Sequence, residues 1–203
     1  MRKNREIKLI FALIAVFFAG FLAVPMISVV MKSFTGNGEA ASLAHYVEVL
    51  TGSGFLRALG HSMVISVCSA LITTVLAFIL AYAIHYTNLG KRYKWLISKA
   101  AILPMLLPTI TYGFAIIYSF GKQGLLTKLF GRQLFDIYGF NGLLLGYVVY
   151  TLPIAFTLIN NAMGYIDKRF MIVSRLMGDS PLQTFRMTIV IPLLGTLATS
   201  FIQ

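Results

Sequence analysis

Long apolar stretches constrain this chain more than any other feature of its sequence. A helix needs about 20 mainly apolar residues to cross a bilayer, and four stretches satisfy this length: 9–31, 62–86, 97–120 and 143–162. A fifth apolar stretch begins near Thr188 and reaches the last residue, Gln203. Hydrophobic residues make up 58% of the chain and charged residues only 11%, against roughly 25% charged residues in a soluble domain. The sequence therefore predicts an all-α, polytopic transmembrane bundle, with the first stretch retained as an anchor helix.

The basic residues indicate how such a bundle is oriented. The formal net charge of +11 could suggest a nucleic-acid partner, but the cations form short clusters between apolar stretches and no continuous stripe, so no nucleic-acid binding is expected. Alternate loops differ in their Lys and Arg content, and the richer side is usually cytoplasmic. Twelve cations fall on one side, at positions 2, 3, 5, 8, 91, 92, 94, 99, 168, 169, 175 and 186, and five on the other. This predicts a cytoplasmic N-terminus.

Motifs for enzymatic chemistry are missing from the sequence. There is no G-x-x-x-x-G-K-[ST] phosphate loop, no G-x-S-x-G elbow and no H-E-x-x-H pair, and Cys68 is the single cysteine. We therefore expect no catalytic residue, no cofactor and no metal site, and any ATP hydrolysis must occur on another chain. The six acidic residues lie outside the predicted spans. An ion-coupled carrier usually has an ionisable group at membrane depth, so that alternative is disfavoured but stays open, as does a membrane scaffold that transports nothing.

The stretch 167–192 predicts two short helices joined by a sharp turn. Asp167 is a suitable N-cap for a helix that ends near Met177, and Gly178 follows where a helix often ends in the left-handed conformation. Ser180, Pro181 and Gln183 form a capping-box pattern for the next helix. That helix carries apolar side chains at helical spacing, at positions 182, 185 and 189. We call residues 167–185 the elbow. An alternative interpretation is a helix pair that lies on the lipid headgroups.

Residues 178–185, followed by Ile-Pro-Leu-Leu at 191–194, resemble the EAA loop of the permease subunits of binding-protein-dependent ABC importers. In that family the loop is cytoplasmic and docks in a groove of the ATPase subunit. The resemblance implies that the coupling residues are Ile172, Val173, Ser174, Gly178, Asp179, Ser180, Pro181, Leu182 and Phe185. It also implies four kinds of partner: an ABC ATPase, a second permease subunit (itself or a sister chain), an extracytoplasmic solute-binding protein and the lipid of a bacterial inner membrane.

The resemblance extends over residues 55–203 and gives a domain division into an N-terminal anchor and external loop, 1–54, and a permease core, 55–203. The glycine-containing segment 33–60 is expected to be a loop at the boundary between the first helix and the rest. Residues 121–126 and 150–153 look like the branch that transports ferric iron, thiamine or 2-aminoethylphosphonate. Two differences stand out: Ile172, Val173 and Ser174 replace the Glu-Ala-Ala of the family, and one extra residue separates Gly178 from Pro192. Since 188–202 is short for a span and the family continues beyond it, we expect a C-terminally truncated product.

Polar residues inside the predicted spans are few. Pro104 and Pro108 would free backbone carbonyls, and with Thr109 and Tyr112 they form a candidate solute pathway; plain helix kinks are the alternative. Tyr147, Tyr150 and Thr151 on the fourth span are a similar patch, for which an aromatic belt at the membrane surface is the alternative. His61 and His85 flank the second span as helix-end residues.

Overall fold

A computed structural model describes residues 2–35, 42–133 and 135–203 of the chain, and within these ranges it is helical and contains no strand. The fold class predicted from the sequence is confirmed. Among the described residues, four helices are long and apolar enough to span a membrane, and counting one bent helix pair as a further span gives five. The chain divides into two compact units, residues 1–60 and 61–203.

The first unit contains one long apolar helix, one short helix and residues 53–60 of the helix that follows. Helix α1 (Arg2–Phe18) continues through a π-helical turn (Ala19–Ala23) into α2 (Val24–Thr35), which makes the first predicted span a helix with few interruptions. Helix α3 (Ala44–Thr51) follows, and its Tyr46 ring lies 5.3 Å from the Phe34 ring. The glycine-rich segment 33–60 was expected to be a loop, but its described part is mostly helical; Gly36, Gly38 and Glu39 lie outside the described residues.

The second unit is organised around three long helices. Helix α4 (Ser53–Tyr86) begins nine residues before the predicted second span, so His61 lies inside the helix and not at its end. Helix α8 (Phe140–Gly164) contains Pro153. The last helix runs from α10 (Pro181–Phe185) through a π-helical turn (Arg186–Val190) into α11 (Ile191–Ile202), and its 22 residues exceed the stretch expected from Thr188 onward.

The third predicted span is wrong as a single helix. The region that contains it, residues 91–130, consists of α5 (Lys91–Ile102), a 3₁₀ turn (Leu103–Leu106), α6 (Thr109–Phe120) and α7 (Leu125–Phe130), and its two parts meet at 114°. Leu107 is extended (φ −99°, ψ 143°) because the ring of a following proline disfavours helical backbone, and Pro108 then starts α6. The prolines therefore break this segment and do not merely kink it.

An apolar core lies where the three long helices meet. Ala77 and Ala81 are fully buried against Phe156 and Ile159 of α8 and Leu193 of α11. Near this apolar core, side-chain hydroxyls connect α4 to the other two helices. Thr73 lies 3.0 Å from Thr151 of α8, and Thr74 lies 3.4 Å from Ser200 of α11. Such bonds stabilise helix contacts where no water competes.

Candidate coupling elbow and intramembrane cavities

The elbow begins with a capped helix. Helix α9 (Arg169–Leu176) starts after Lys168, and the Asp167 carboxylate accepts a hydrogen bond from the Arg169 amide at 2.9 Å. The side chain of Asp167 thus satisfies a free amide of the first turn, as predicted. The helix is one residue shorter at each end than expected.

Gly178 ends α9 and reverses the chain. It is left-handed, with φ of +84°. The Gly178 amide donates to the Arg175 carbonyl at 3.1 Å and the Asp179 amide donates to the Ser174 carbonyl at 3.2 Å. These two bonds are the Schellman pattern, which satisfies carbonyls that the helix leaves free. The conformation predicted for Gly178 is confirmed.

The second elbow helix starts at once. The Ser180 hydroxyl accepts from the Gln183 amide at 3.3 Å, and the Gln183 side chain accepts from the Ser180 amide at 2.9 Å. Pro181 occupies the first helical position, where its missing N–H is not needed. The capping box is confirmed, and only three residues separate the end of α9 from the cap of α10.

A hydroxyl contact that the sequence did not reveal holds the two elbow helices together. Ser174 and Thr184 are both buried, and their side-chain oxygens lie 3.0 Å apart. The Ser174 hydroxyl also donates to the Asp179 carboxylate at 2.6 Å, and Thr188 donates to the Thr184 carbonyl at 2.6 Å. We call Ser174, Asp179 and Thr184 the clasp. Its sequence signal is weak, since it consists only of hydroxyls on both sides of a glycine turn.

The apolar residues of the elbow divide into two groups. Leu182 is 75% exposed, and an exposed apolar surface continues over Ile172, Val173, Leu176 and Met177. Phe185, in contrast, packs edge-on against the rings of Phe78 and Tyr82 of α4, at 6.1 Å and 5.8 Å between ring centroids. Leu182 is therefore available to a partner, whereas Phe185 fixes the elbow to the bundle.

A second attachment lies at the C-terminal end of α4. The Lys168 ammonium donates to the His85 carbonyl at 2.9 Å and lies 5.7 Å from the Tyr86 ring centroid. A cation here compensates carbonyls that the helix end leaves free. His85 in turn lies 3.1 Å from the Asn160 side chain. The basic segment that follows α8 therefore contacts the C-terminal end of α4.

A cleft of about 660 Å³ lies under the elbow. Phe170, Met177 and Met187 contribute apolar walls, and Asp167 and Asp179 add carboxylates to the lining. Each carboxylate uses one oxygen in the local bonds given above.

The candidate pathway residues do not all come together. A cavity of about 530 Å³ between α6 and α8 is lined by Thr109 and Tyr112 together with Tyr138, Tyr147 and Tyr150. Pro104 lines a separate cleft of about 290 Å³, and Pro108 caps α6. The Tyr112 hydroxyl donates to the Pro104 carbonyl and lies 3.1 Å from the Leu107 carbonyl. It therefore connects α6 to the turn on the other side of the break in the third segment.

Tyr150 lies near the middle of α8, whereas an aromatic belt forms near the ends of a span. Tyr150 lies ten residues after the start of α8 and fourteen before its end, or about 15 Å and 21 Å along the axis. Both tyrosines also line a second cavity of about 400 Å³, which contains Ser66, Ser69, Thr151, Ser200 and Gln203. The sequence signal for this cavity was the group of hydroxyl side chains on the fourth span, Tyr147, Tyr150 and Thr151. In the part of the chain that the structure describes, no group of three or more His, Cys, Asp or Glu residues could hold a metal ion.

Comparison with known proteins assigns a family to this architecture. A sequence model described as "Binding-protein-dependent transport system inner membrane component" matches residues 73–203, which is more than half of the chain.

Two curated relatives carry related names. The ferric transport system permease protein FbpB of Actinobacillus pleuropneumoniae is 27% identical over 188 residues, which cover 90% of this chain and 27% of that protein. A Haemophilus influenzae protein, also named for a ferric transport system permease, is 26% identical over 188 residues and is covered to 29%. The chain thus spans less than a third of the length of these relatives.

A solved structure has the same fold. The crystal structure of a bacterial alginate ABC transporter in complex with an alginate pentasaccharide-bound periplasmic protein matches with a TM-score of 0.72 at 16% identity, over 97% of this chain and 70% of that chain.

Proposed function

The chain belongs to the binding-protein-dependent transport system inner membrane components, and from this membership we propose that it forms the permease subunit of an ATP-driven ABC importer. It moves a small polar solute inward across a bacterial inner membrane, with its N-terminus and elbow in the cytoplasm. It hydrolyses no ATP itself, because the sequence has no phosphate loop.

The observation that carries the proposal is the construction of the elbow. Two capped helices meet at a left-handed Gly178, and buried Ser174 and Thr184 hold them in one arrangement. Leu182 and Met177 stay more than 70% exposed. A rigid turn with an exposed apolar surface fits a docking contact, because apolar side chains on a preorganised surface bind at little entropic cost. We assign the docking contact to the ATPase.

Three protein partners follow from this assignment. The ATPase contacts Ile172, Val173, Leu176 and Leu182, a second permease subunit completes the pathway, and a solute-binding protein delivers the solute from outside. The alginate transporter, whose structure includes a periplasmic protein, supports the last assignment through its fold. Whether the second permease is a copy or a sister chain is decided by subunit counting in the purified complex.

The names of the relatives favour ferric iron among the three solutes suggested by the sequence. We assign Pro104, Pro108, Thr109 and Tyr112 to the pathway, where the first two shape the break and the others line the 530 Å³ cavity. The lining of this cavity contains no charged residue. Selection by charge is therefore left to the binding protein.

An ion-coupled carrier is the competing function. Such carriers use ionisable groups at membrane depth, whereas Asp136, Asp167 and Asp179 all lie between helices. An importer uses ATP and a carrier uses an ion gradient, so transport by the reconstituted protein with one energy source at a time distinguishes the two mechanisms.

The test is ATP hydrolysis by the reconstituted complex with its ATPase and binding protein in proteoliposomes. Solute-loaded binding protein should stimulate hydrolysis. Leu182→Ala should reduce ATPase copurification and stimulation by roughly ten-fold or more, since a central interface side chain contributes about 2 kcal/mol.

Leu129→Ala is the matched control, because Leu129 is 72% exposed on α7, outside the elbow. Equal effects of the two substitutions would reject the docking contact. Solute accumulation driven by an ion gradient without ATP would reject the importer itself.

A further inference from the structure

Helix α5 has two faces of different character. Lys94, Ile97 and Ser98 are half-buried and Ala101 is 3% exposed. Their spacing of three and four residues places them on one side of a helix, and this side packs on α8. We call it the inner face.

The opposite side carries the remaining charge. Arg92, Trp95, Leu96 and Lys99 are exposed and, at about 100° per residue, lie on the side opposite Ala101. Lys91 is also exposed and lies at the edge of this side. Trp95 is 62% exposed and is the only tryptophan of the chain. No acidic residue occurs between Glu48 and Asp136. This outer face therefore carries cationic and apolar side chains and no acidic one.

The position of Lys99 limits where the outer face can lie. It is eight residues beyond Lys91, or about 12 Å along the axis. A cation that points into the lipid hydrocarbon at this depth is strongly unfavourable. The 114° bend after Leu106 gives α5 a direction different from that of α6, so α5 does not have to continue the path of a span.

We propose that α5 is an interfacial helix whose outer face binds anionic phospholipid headgroups in the bilayer surface. Lys91, Arg92 and Lys99 contact the phosphates, and the Trp95 ring lies at the boundary between headgroups and acyl chains, where tryptophan is enriched. The first six residues of the third predicted span thereby belong to a lipid-contacting helix at the end of the bundle that also carries the elbow.

Because Trp95 is the sole tryptophan, its fluorescence reports on this face without a label. The full chain is reconstituted in bilayers of phosphatidylcholine and phosphatidylglycerol, with bromine on the acyl chains of one lipid at a time. Brominated phosphatidylglycerol should quench Trp95 several-fold more strongly than brominated phosphatidylcholine at the same mole fraction. Each cation contributes about a five-fold preference for an anionic surface. Raising the salt from 0.05 M to 0.5 M should reduce the preference in the wild type.

Two triple variants complete the design. Lys91→Gln, Arg92→Gln and Lys99→Gln together should abolish the preference, whereas Lys122→Gln, Lys128→Gln and Arg132→Gln, an equal charge change on exposed residues elsewhere, should retain it. Inorganic phosphate at constant ionic strength should have no effect. Equal quenching by both lipids in the wild type would overturn the proposal whatever the variants do.

Two further outcomes would also overturn it. Loss of the preference on adding phosphate would identify a site for free phosphate. Quenching by aqueous iodide with no quenching by brominated lipid would place the face in water, where an acidic protein surface becomes the occupant.

Discussion

The left-handed backbone of Gly178 predicts that a larger side chain can be tolerated better than a smaller one at this position. A Cβ at this position meets no atom within 4 Å, so a substitution causes no collision inside the chain. The remaining cost is the backbone conformation, with φ of +84°. That cost is about 1 kcal/mol for alanine and about 2 kcal/mol for valine, but only a few tenths for asparagine, which adopts this region readily.

The amide of Asp179 measures this cost locally, because its bond to the Ser174 carbonyl forms only when residue 178 is left-handed. Since 1.4 kcal/mol corresponds to a factor of ten, hydrogen exchange at Asp179 should accelerate about five-fold in Gly178→Ala and about thirty-fold in Gly178→Val. Gly178→Asn should stay within about two-fold of the wild type. Binding-protein-stimulated ATP hydrolysis should fall in the same order.

Asparagine is the decisive variant, because it is larger than alanine. If Gly178→Asn is as damaging as Gly178→Val, the space around residue 178 matters, for example because a partner occupies it, and the backbone argument fails. An unchanged exchange rate in Gly178→Val would refute the Schellman turn itself.

Three further predictions concern the elbow and its side of the membrane. Phe185→Ala should lower the free energy of unfolding by about 2 kcal/mol because it leaves Phe78 and Tyr82 without a packing partner. Phe170→Ala, at a 65% exposed position in the same elbow, should change the free energy of unfolding by less than about 0.5 kcal/mol. Equal losses in the two variants would contradict the inward packing of Phe185. Ser174→Ala should lower the free energy of unfolding by about 1–2 kcal/mol because it removes the buried hydrogen bonds of the clasp. The control, Ser28→Ala, removes an exposed hydrogen bond to the carbonyl of Val24. A difference below about 0.5 kcal/mol between the two variants would argue against the clasp. In a Cys68→Ala background, an impermeant thiol reagent should label Ser53→Cys from outside and Lys91→Cys only after permeabilisation; the reverse pattern would invert the proposed orientation.

The sequence predicted the elbow well because its signals are local. A glycine, a capping box and a capping aspartate each act within a few residues, so Gly178, Ser180 and Gln183 could be assigned without knowledge of the rest of the fold. The number and helical nature of the long apolar segments were equally accessible, because the bilayer requires length and apolarity alone.

Features that depend on distant contacts could not be predicted. Phe185 was expected at the surface, since helical spacing does not show that Phe78 and Tyr82, about a hundred residues earlier, cover it. The clasp depends on the geometry of the turn, and hydroxyls at 174 and 184 are too common to signal it.

The third apolar segment shows a different limit. Its length and apolarity fit a span, but two prolines four residues apart admit either a kink or a break. The structure contains a break, which is stabilised by the packing of α5 and α6 on α8 and by the hydrogen bond of the Tyr112 hydroxyl. The segment 33–60 was similarly expected to be a loop because of its glycines, yet α3 and the start of α4 lie within it.

Site-specific photo-crosslinking from position 182 tests the central claim most directly, namely that the elbow docks on an ATPase. A benzophenone amino acid replaces Leu182 in one variant and the equally exposed Leu129 in the other, and crosslinked products are identified by mass spectrometry in native membranes. We predict that position 182 yields a product with an ABC-type ATPase subunit and that position 129 does not. Crosslinks from position 182 to lipid only, or the same products from both positions, would contradict the account.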